Sequence, residues 1–164
     1  MANNEINWQK HHRFMPYEGW CGPTVIKIIF SACNIKKSIY EIAWYVYKGW
    51  WGTPSQLFIA YLSKFFVLVN YKMNATISDI AAHLKLGHIV IINWWDKDGG
   101  HYSIVSSYKE GWLTIIDSSR ERDWQWVMTG KELRRVWYDT LNVDDSLYHE
   151  GLMIWLDSTR KKIK

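Results

Sequence analysis

Cysteine is scarce in this chain. Two residues among 164, Cys21 and Cys33, with no Cys-x-x-Cys spacing and no histidine at zinc-finger spacing, exclude a disulfide scaffold and supply no metal site. On one helix their Cα atoms would stand ~18 Å apart, beyond bridging distance, so both are expected as free thiols. Proline numbers only three, and Gly, Pro and Ser nowhere cluster, which leaves no linker, repeat or low-complexity tract. The expectation is one domain over 1–164, with its core in about 14–156. A chain of this length can bury roughly 68–70% of its unfolded surface, so the core needs no staples.

Long apolar runs are lacking as well. The longest stretch free of charge, the 15 residues Gly49–Ser63, contains Thr53, Pro54, Ser55 and Gln56, so no segment reads as a bilayer span. The first 13 residues carry Glu5, Lys10 and Arg13 where a secretory signal needs an apolar run, and a cytoplasmic protein is expected. Charge of one sign is not abundant either. Lys+Arg number 20 and Asp+Glu 16, a net +4 gathered mainly at Lys10-His11-His12-Arg13 and Arg160-Lys161-Lys162. Without an RNA-recognition motif or a Gly-rich phosphate loop, nucleic acid is not an expected partner.

What the chain does have is aromatic surface: 12 Trp, 10 Tyr and 5 Phe. Large amphipathic rings mostly fill a core and its rim. A minority, among them Trp20, Trp50, Trp51, Trp94 and Trp95, are candidates for walling a cleft.

Helical signals dominate the first 66 residues. Pro23 just inside the run Val25, Ile26, Ile28, Ile29 and Phe30 opens a helix over about Gly22–Cys33, apolar around most of its circumference and therefore central. Ser38-Ile-Tyr-Glu41 and Thr53-Pro-Ser-Gln56 read as capping boxes, opening helices to about Tyr47 and Phe66, with the loop Gly49–Gly52 between them. Val67–Tyr71 has strand composition, and Thr76-Ile-Ser-Asp79 starts a short helix that stops at Gly87. His88–Trp94, Tyr102–Tyr108, Trp112–Ile116 and Leu152–Leu156 then read as strands, and Thr129-Gly-Lys-Glu132 caps a last helix. Helices followed by an antiparallel sheet make an α+β fold.

One cysteine stands where chemistry is favoured. A thiol attacks as thiolate, and a helix N-terminus stabilises the anion with unpaired N–H groups and dipole. Cys21 occupies that position, and Gly22 beside it leaves room for a substrate backbone. Cys33, amid apolar residues at the other end of the same helix, is packing. A nucleophilic thiol needs a base and a group to orient that base. His101, at a strand start after Gly99-Gly100, is the base candidate; His83 in a helix, His88 heading a strand and His149 in an acidic turn are placed less well. With Lys109-Glu-Gly111 as a three-residue hairpin loop, Ile104 opposes Ile116, Val105 opposes Ile115, Ser106 opposes Thr114 and Tyr108 opposes Trp112. Asp117 then falls opposite Ser103, on the face of His101 and diagonal to it. A two-residue loop would put Asp117 on the other face.

Cys21-Gly22-Pro23 opening the first long helix, Gly99-Gly100-His101 half a chain later and a strand ending at Asp117 resemble the C39-type, bacteriocin-processing branch of papain-like cysteine peptidases, from about Phe14 to Leu156. The resemblance implies a papain-like fold with Cys21 as nucleophile, His101 as general base and then acid, and Asp117 as orienter. The implied reaction is hydrolysis of a peptide bond through a thioester, often after small residues such as Gly-Gly, with Gly99 and Gly100 suiting a narrow cleft beside Trp20, Trp50 and Trp51. It implies no cofactor and no metal, a peptide or protein substrate, and a separate exporter subunit as a partner. The pattern departs at one position: where the family has an oxyanion-stabilising Gln six residues before the nucleophile, this chain has Met15, which cannot donate. The backbone N–H of Cys21 remains as one donor, and Gln9, Trp20 and Glu18 are candidates for the other. The same triad also serves a glutamine deamidase or an acyl or peptidyl transferase, and a catalytically weak peptide-binding relative is a third reading.

Overall fold

The computed structural model describes residues 6–97, 99–139 and 149–162. The helical part contains α1 (Trp8–His11), α2 (Cys21–Ala32), α3 (Ile39–Val46), a 3-10 turn at Gly49–Trp51 and α4 (Ser55–Leu62). Then come β1 (Val69–Lys72), α5 (Ile77–Lys85), β2 (Ile89–Asp96), β3 (Gly99–Lys109), β4 (Trp112–Ile116), β5 (Gln125–Thr129) and α6 (Gly130–Val136). The short strands β6 (Tyr138–Asp139) and β7 (His149–Glu150) precede β8 (Met153–Leu156). Six strands form an antiparallel sheet in the order β1-β8-β2-β3-β4-β5.

Strand periodicity splits the core in two. Ile89, Ile91, Tyr102, Ile104, Ile116 and Ile154 face α2, which buries Val25, Ile26, Ile29 and Phe30 against them. Val90, Ile92, Val105, Ile115 and Met153 face the opposite way, against Ile80 and Leu84 of α5 and Leu133 of α6. The expected α+β fold is present, and α2 is buried around nearly its whole circumference as its composition predicts.

Local signals were honoured where the cap residue is not buried. Ser38, Thr76 and Thr129 each accept from the backbone of a residue three on, whose carboxylate bonds back. Thr53 departs from expectation. α4 begins at Ser55 after Pro54, with no side-chain cap, because Thr53 is buried against Gly22 instead. A side chain on Gly22 would collide with it, so Gly22 makes room for Thr53 rather than for a substrate backbone. The basic C-terminal segment folds back onto the body: Lys161 Nζ donates to the Cys33 carbonyl at 2.9 Å and Lys162 Nζ to the Ser63 carbonyl at 2.7 Å.

The β3–β4 hairpin corrects the expected loop and keeps its consequence. Glu110 and Gly111, with φ of 52° and 88°, form a two-residue loop that pairs Lys109 with Trp112, Tyr108 with Leu113 and Ser107 with Thr114. Left alone, that register would carry Asp117 to the wrong face. A β-bulge between Val105 and Ser107 inserts Ser106 as the extra residue and restores Val105 opposite Ile115 and Ile104 opposite Ile116. Asp117 therefore reaches the face of His101 after all.

The packing predicts a sharp contrast in stability. Phe30→Ala, which empties a fully buried ring site in α2, lowers unfolding free energy by about 3–5 kcal/mol. Trp44→Ala, at an 83% exposed position of α3, changes it by less than about 0.5 kcal/mol. Urea denaturation midpoints at constant slope measure both.

Candidate active site

Cys21 is the first residue of α2, where the chain turns from Trp20 and the early N–H groups have no carbonyl behind them. Thr24 N–H and Thr24 Oγ1 both bond to the Trp20 carbonyl, at 3.0 and 2.7 Å, and fix the helix start. The thiol is buried beside β3. His101 and the backbone N–H groups of Gly22 and Tyr102 stand near enough to it to favour its anion.

His101 is buried too, and its Nε2 meets Asp117 Oδ1 at 2.8 Å, which leaves Nδ1 for the thiol. Asp117, wholly buried, is heavily solvated by the protein. Ser119 gives its N–H and hydroxyl to Oδ1 at 2.9 and 2.7 Å, Trp126 Nε1 donates to Oδ2 at 3.3 Å, and Arg120 Nε lies 3.4 Å from Oδ2. Trp94, paired across the sheet with His101, sets its ring edge-on to the imidazole at 5.7 Å and anchors its N–H on Ser103 Oγ at 3.1 Å. Half-buried His12 bonds to the Asp117 carbonyl at 3.0 Å and stacks on Trp124.

These contacts set the charges. Burial pushes the Cys21 thiol up, but the hydrogen bond and positive charge of His101, with two backbone N–H groups, outweigh it and hold the thiol below its ordinary value. Burial opposes charging His101, yet bonds to Asp117 and Cys21 raise its pKa to about 10. Burial likewise works against the Asp117 carboxylate, and His101 and Ser119 more than offset this, keeping it ionised well below the usual carboxylate range. The arrangement favours an imidazolium at His101 backed by the Asp117 carboxylate, and it shifts the Cys21 thiol toward thiolate. Cys33 is the contrast: burial lifts its thiol to about 11. Both thiols are free.

The structure brings Cys21, His101 and Asp117 into one line. It does not bring the other expected groups to the thiol. Gln9 is exposed on α1, whose neighbour His11 bonds to Ser31 in the last turn of α2, ~15 Å along the helix from Cys21. Trp20 is packed among Tyr17, Tyr40 and Tyr47 at centroid distances of 4.8–5.8 Å, and Glu18 is exposed. Met15 is half-buried against the α2 core. Trp50 and Trp51 protrude from the 3-10 turn and pack on each other, at 76% and 44% exposure. Gly99 and Gly100 open β3 opposite Asp96 and Trp95, and a side chain on Gly100 would strike the Asp139 carboxylate. Among the described residues no group of three or more metal-ligating side chains converges.

Sequence reasoning missed Trp94, Ser119, Arg120 and Trp126 as supports of the site. Trp94 was within reach, since pairing His88–Trp94 with the strand at Tyr102 sets it opposite His101. Trp126 was not, because β5 had no clear strand signal.

This fold, with α2 packed on an antiparallel sheet, is the C39 papain-like peptidase fold. The peptidase domain of Streptococcus ComA, a bifunctional ABC transporter involved in quorum sensing, matches with TM-score 0.67 and 14% identity over 88% of this chain and 96% of that one. A double-glycine-motif protease from an AMS/PCAT transporter, solved in complex with its leader peptide, matches at 0.62 and 11% over 88% and 89%. A protein from Bacillus anthracis designated C39-like peptidase matches at 0.63 and 11% over 98% of both chains. No family sequence model and no curated protein sequence matches. Among the described residues no helix is long and apolar enough to cross a membrane.

The charge state predicts the alkylation profile. Iodoacetamide labels Cys21 at a pH below that of an ordinary thiol, whereas Cys33 stays unlabelled until about pH 11. In His101→Ala the lowering partner is gone and burial remains, so the Cys21 profile moves up past the ordinary value. Peptide mass spectrometry across a pH series reads both sites at once.

Proposed function

We propose that this protein is a cysteine peptidase in which Cys21 is the nucleophile, His101 the proton carrier and Asp117 its orienter. The observation that supports the reading is the buried cluster of Cys21, His101 and Asp117, with the imidazole bonded to the carboxylate through Nε2 and interacting with the thiol.

The chemistry follows from that polarity. Cys21 Sγ attacks the carbonyl carbon of a peptide bond, and the negative charge moves to the carbonyl oxygen, where the Cys21 backbone N–H donates. His101 passes its proton to the leaving nitrogen, the C–N bond breaks, and an amine and a thioester result. The now neutral His101 takes a proton from water as the water attacks the thioester. Release of the acid then restores thiolate and imidazolium. Asp117 keeps the imidazole oriented throughout and stabilises its charge.

Two crowded glycines support a preference for small residues at the cut. Thr53 packs over Gly22 and the Asp139 carboxylate over Gly100, so neither of these chain neighbours of Cys21 and His101 has room for a side chain. The double-glycine specificity of a protein sharing the fold points the same way. A transferase or deamidase would use the same first half-reaction and differ only in what opens the thioester.

The test is incubation with peptides carrying an internal Gly-Gly or a bulky Leu-Leu pair, products read by mass spectrometry. Cleavage after Gly-Gly is expected, with none in Cys21→Ala and kcat reduced about 10²–10⁴-fold in His101→Ala. Amide products in the presence of added amines would shift the reading to transfer. Absence of any turnover while Cys21 alkylates at low pH would overturn hydrolysis and leave a binding role.

A further inference from the structure

The exposed aromatic residues are not scattered. α3 buries Ile42, Ala43 and Val46 and turns Tyr40, Trp44 and Tyr45 outward, at 60%, 83% and 51% exposure. Tyr40 continues through Trp20 to Tyr17, and Trp50 and Trp51 stand just past the C-terminal end of the helix. A group of protruding rings side by side marks a contact surface.

Its border is basic. Lys36 and Lys37 flank the start of α3 and, with Lys27, line a shallow groove there. Lys48 is exposed at the other end, and Lys64 lies 4.5 Å over the ring of Tyr45. The acidic groups of this region are Glu18 and Glu41, the latter already paired with Lys37 at 3.3 Å.

We propose that the outer face of α3 and the Gly49–Trp51 turn dock onto an anionic lipid bilayer. Trp and Tyr favour the headgroup level, where the ring is buried and the N–H or O–H stays wet. Lysines around them meet the negative surface potential at about fivefold in affinity each. A peptide-docking groove would recess its apolar side chains, whereas Trp44 and Trp50 project from a convex helix face and a turn. The surface is independent of the Cys21 chemistry, although Trp20, next to the nucleophile, belongs to the same aromatic cluster.

The full chain is sedimented with vesicles of phosphatidylcholine alone and of phosphatidylcholine mixed with phosphatidylglycerol, at low and high salt. Binding to the mixed vesicles is expected, weakening with salt. Trp44→Ala combined with Trp50→Ala weakens it about tenfold or more, and Lys36→Gln with Lys48→Gln reduces binding to mixed vesicles about tenfold or more. Trp112→Ala, at a 50% exposed position at the far end of the β3–β4 hairpin, leaves it unchanged. Thermal midpoints of the variants, unshifted at such exposed sites, exclude unfolding as the cause. A chain that stays in the supernatant with mixed vesicles at low salt overturns the proposal. So does sedimentation that depends on the lysines but not on the two tryptophans, which is adsorption of charge alone, and so does saturable capture of an amphipathic helical peptide by the same rings without vesicle binding.

Discussion

Asp117 carries its charge with no access to solvent, and most of what surrounds it exists to make that tolerable. An isolated carboxylate in such a place costs several kcal/mol, so the fold must return hydrogen bonds and opposite charge. Ser119 and Trp126 supply the bonds, and His101 and Arg120 supply the charge. The arginine in turn spreads its guanidinium over the Trp126 ring at 4.4 Å, so the ring that donates to the carboxylate is itself held by the carboxylate's counter-ion. With the anion fixed, His101 stays protonated, and its charge joins two backbone N–H groups in lowering the pKa of the buried Cys21 thiol. Electrostatics thus run outward from the end of β4 to the nucleophile.

The placement of that anion rests on backbone geometry. A tight two-residue turn suits the twist of the hairpin, yet its register aims Asp117 away from His101. Ser106, bonded through its hydroxyl to the Thr114 carbonyl, absorbs the mismatch as a bulge. Turn preference and site geometry are reconciled by one residue, a common use of bulges near functional sites.

Much of this was legible in the sequence, and the rest was hidden for definable reasons. Pro23 and the apolar run after it announced α2 and so the setting of Cys21. Ser38, Thr76 and Thr129 announced their helices, because a cap is a local device and acts wherever solvent lets it. Thr53 misled because its neighbours in space, not in sequence, claimed its side chain. Gln9 lies exposed on α1, a helix tied through His11 to Ser31 near the end of α2 and through His12 to the Asp117 carbonyl, long-range contacts with no local signature. The hairpin loop was misread by one residue, and the bulge that compensates has no pattern in Val105-Ser106-Ser107 to reveal it. Trp94 and Trp126 show the limit of composition: twelve tryptophans are visible at once, but only the sheet assigns two of them to the imidazole and the carboxylate.

The Cys21 thiol and the imidazole that lowers its pKa belong to different layers. Cys21 travels with α2, whereas His101 and Asp117 travel with the sheet, and the layers are latched near the site by Tyr102, whose hydroxyl bonds to the Thr53 carbonyl at 3.0 Å and Ser55 Oγ at 3.1 Å. Until those layers dock, the thiol has no imidazolium beside it and keeps the low reactivity of an unassisted cysteine. Activation is therefore a property of the finished tertiary structure and not of any fragment. A partly melted chain carries a thiol with ordinary reactivity, because the imidazole and the two N–H groups that lower its pKa are brought to it only by the folded sheet and helix.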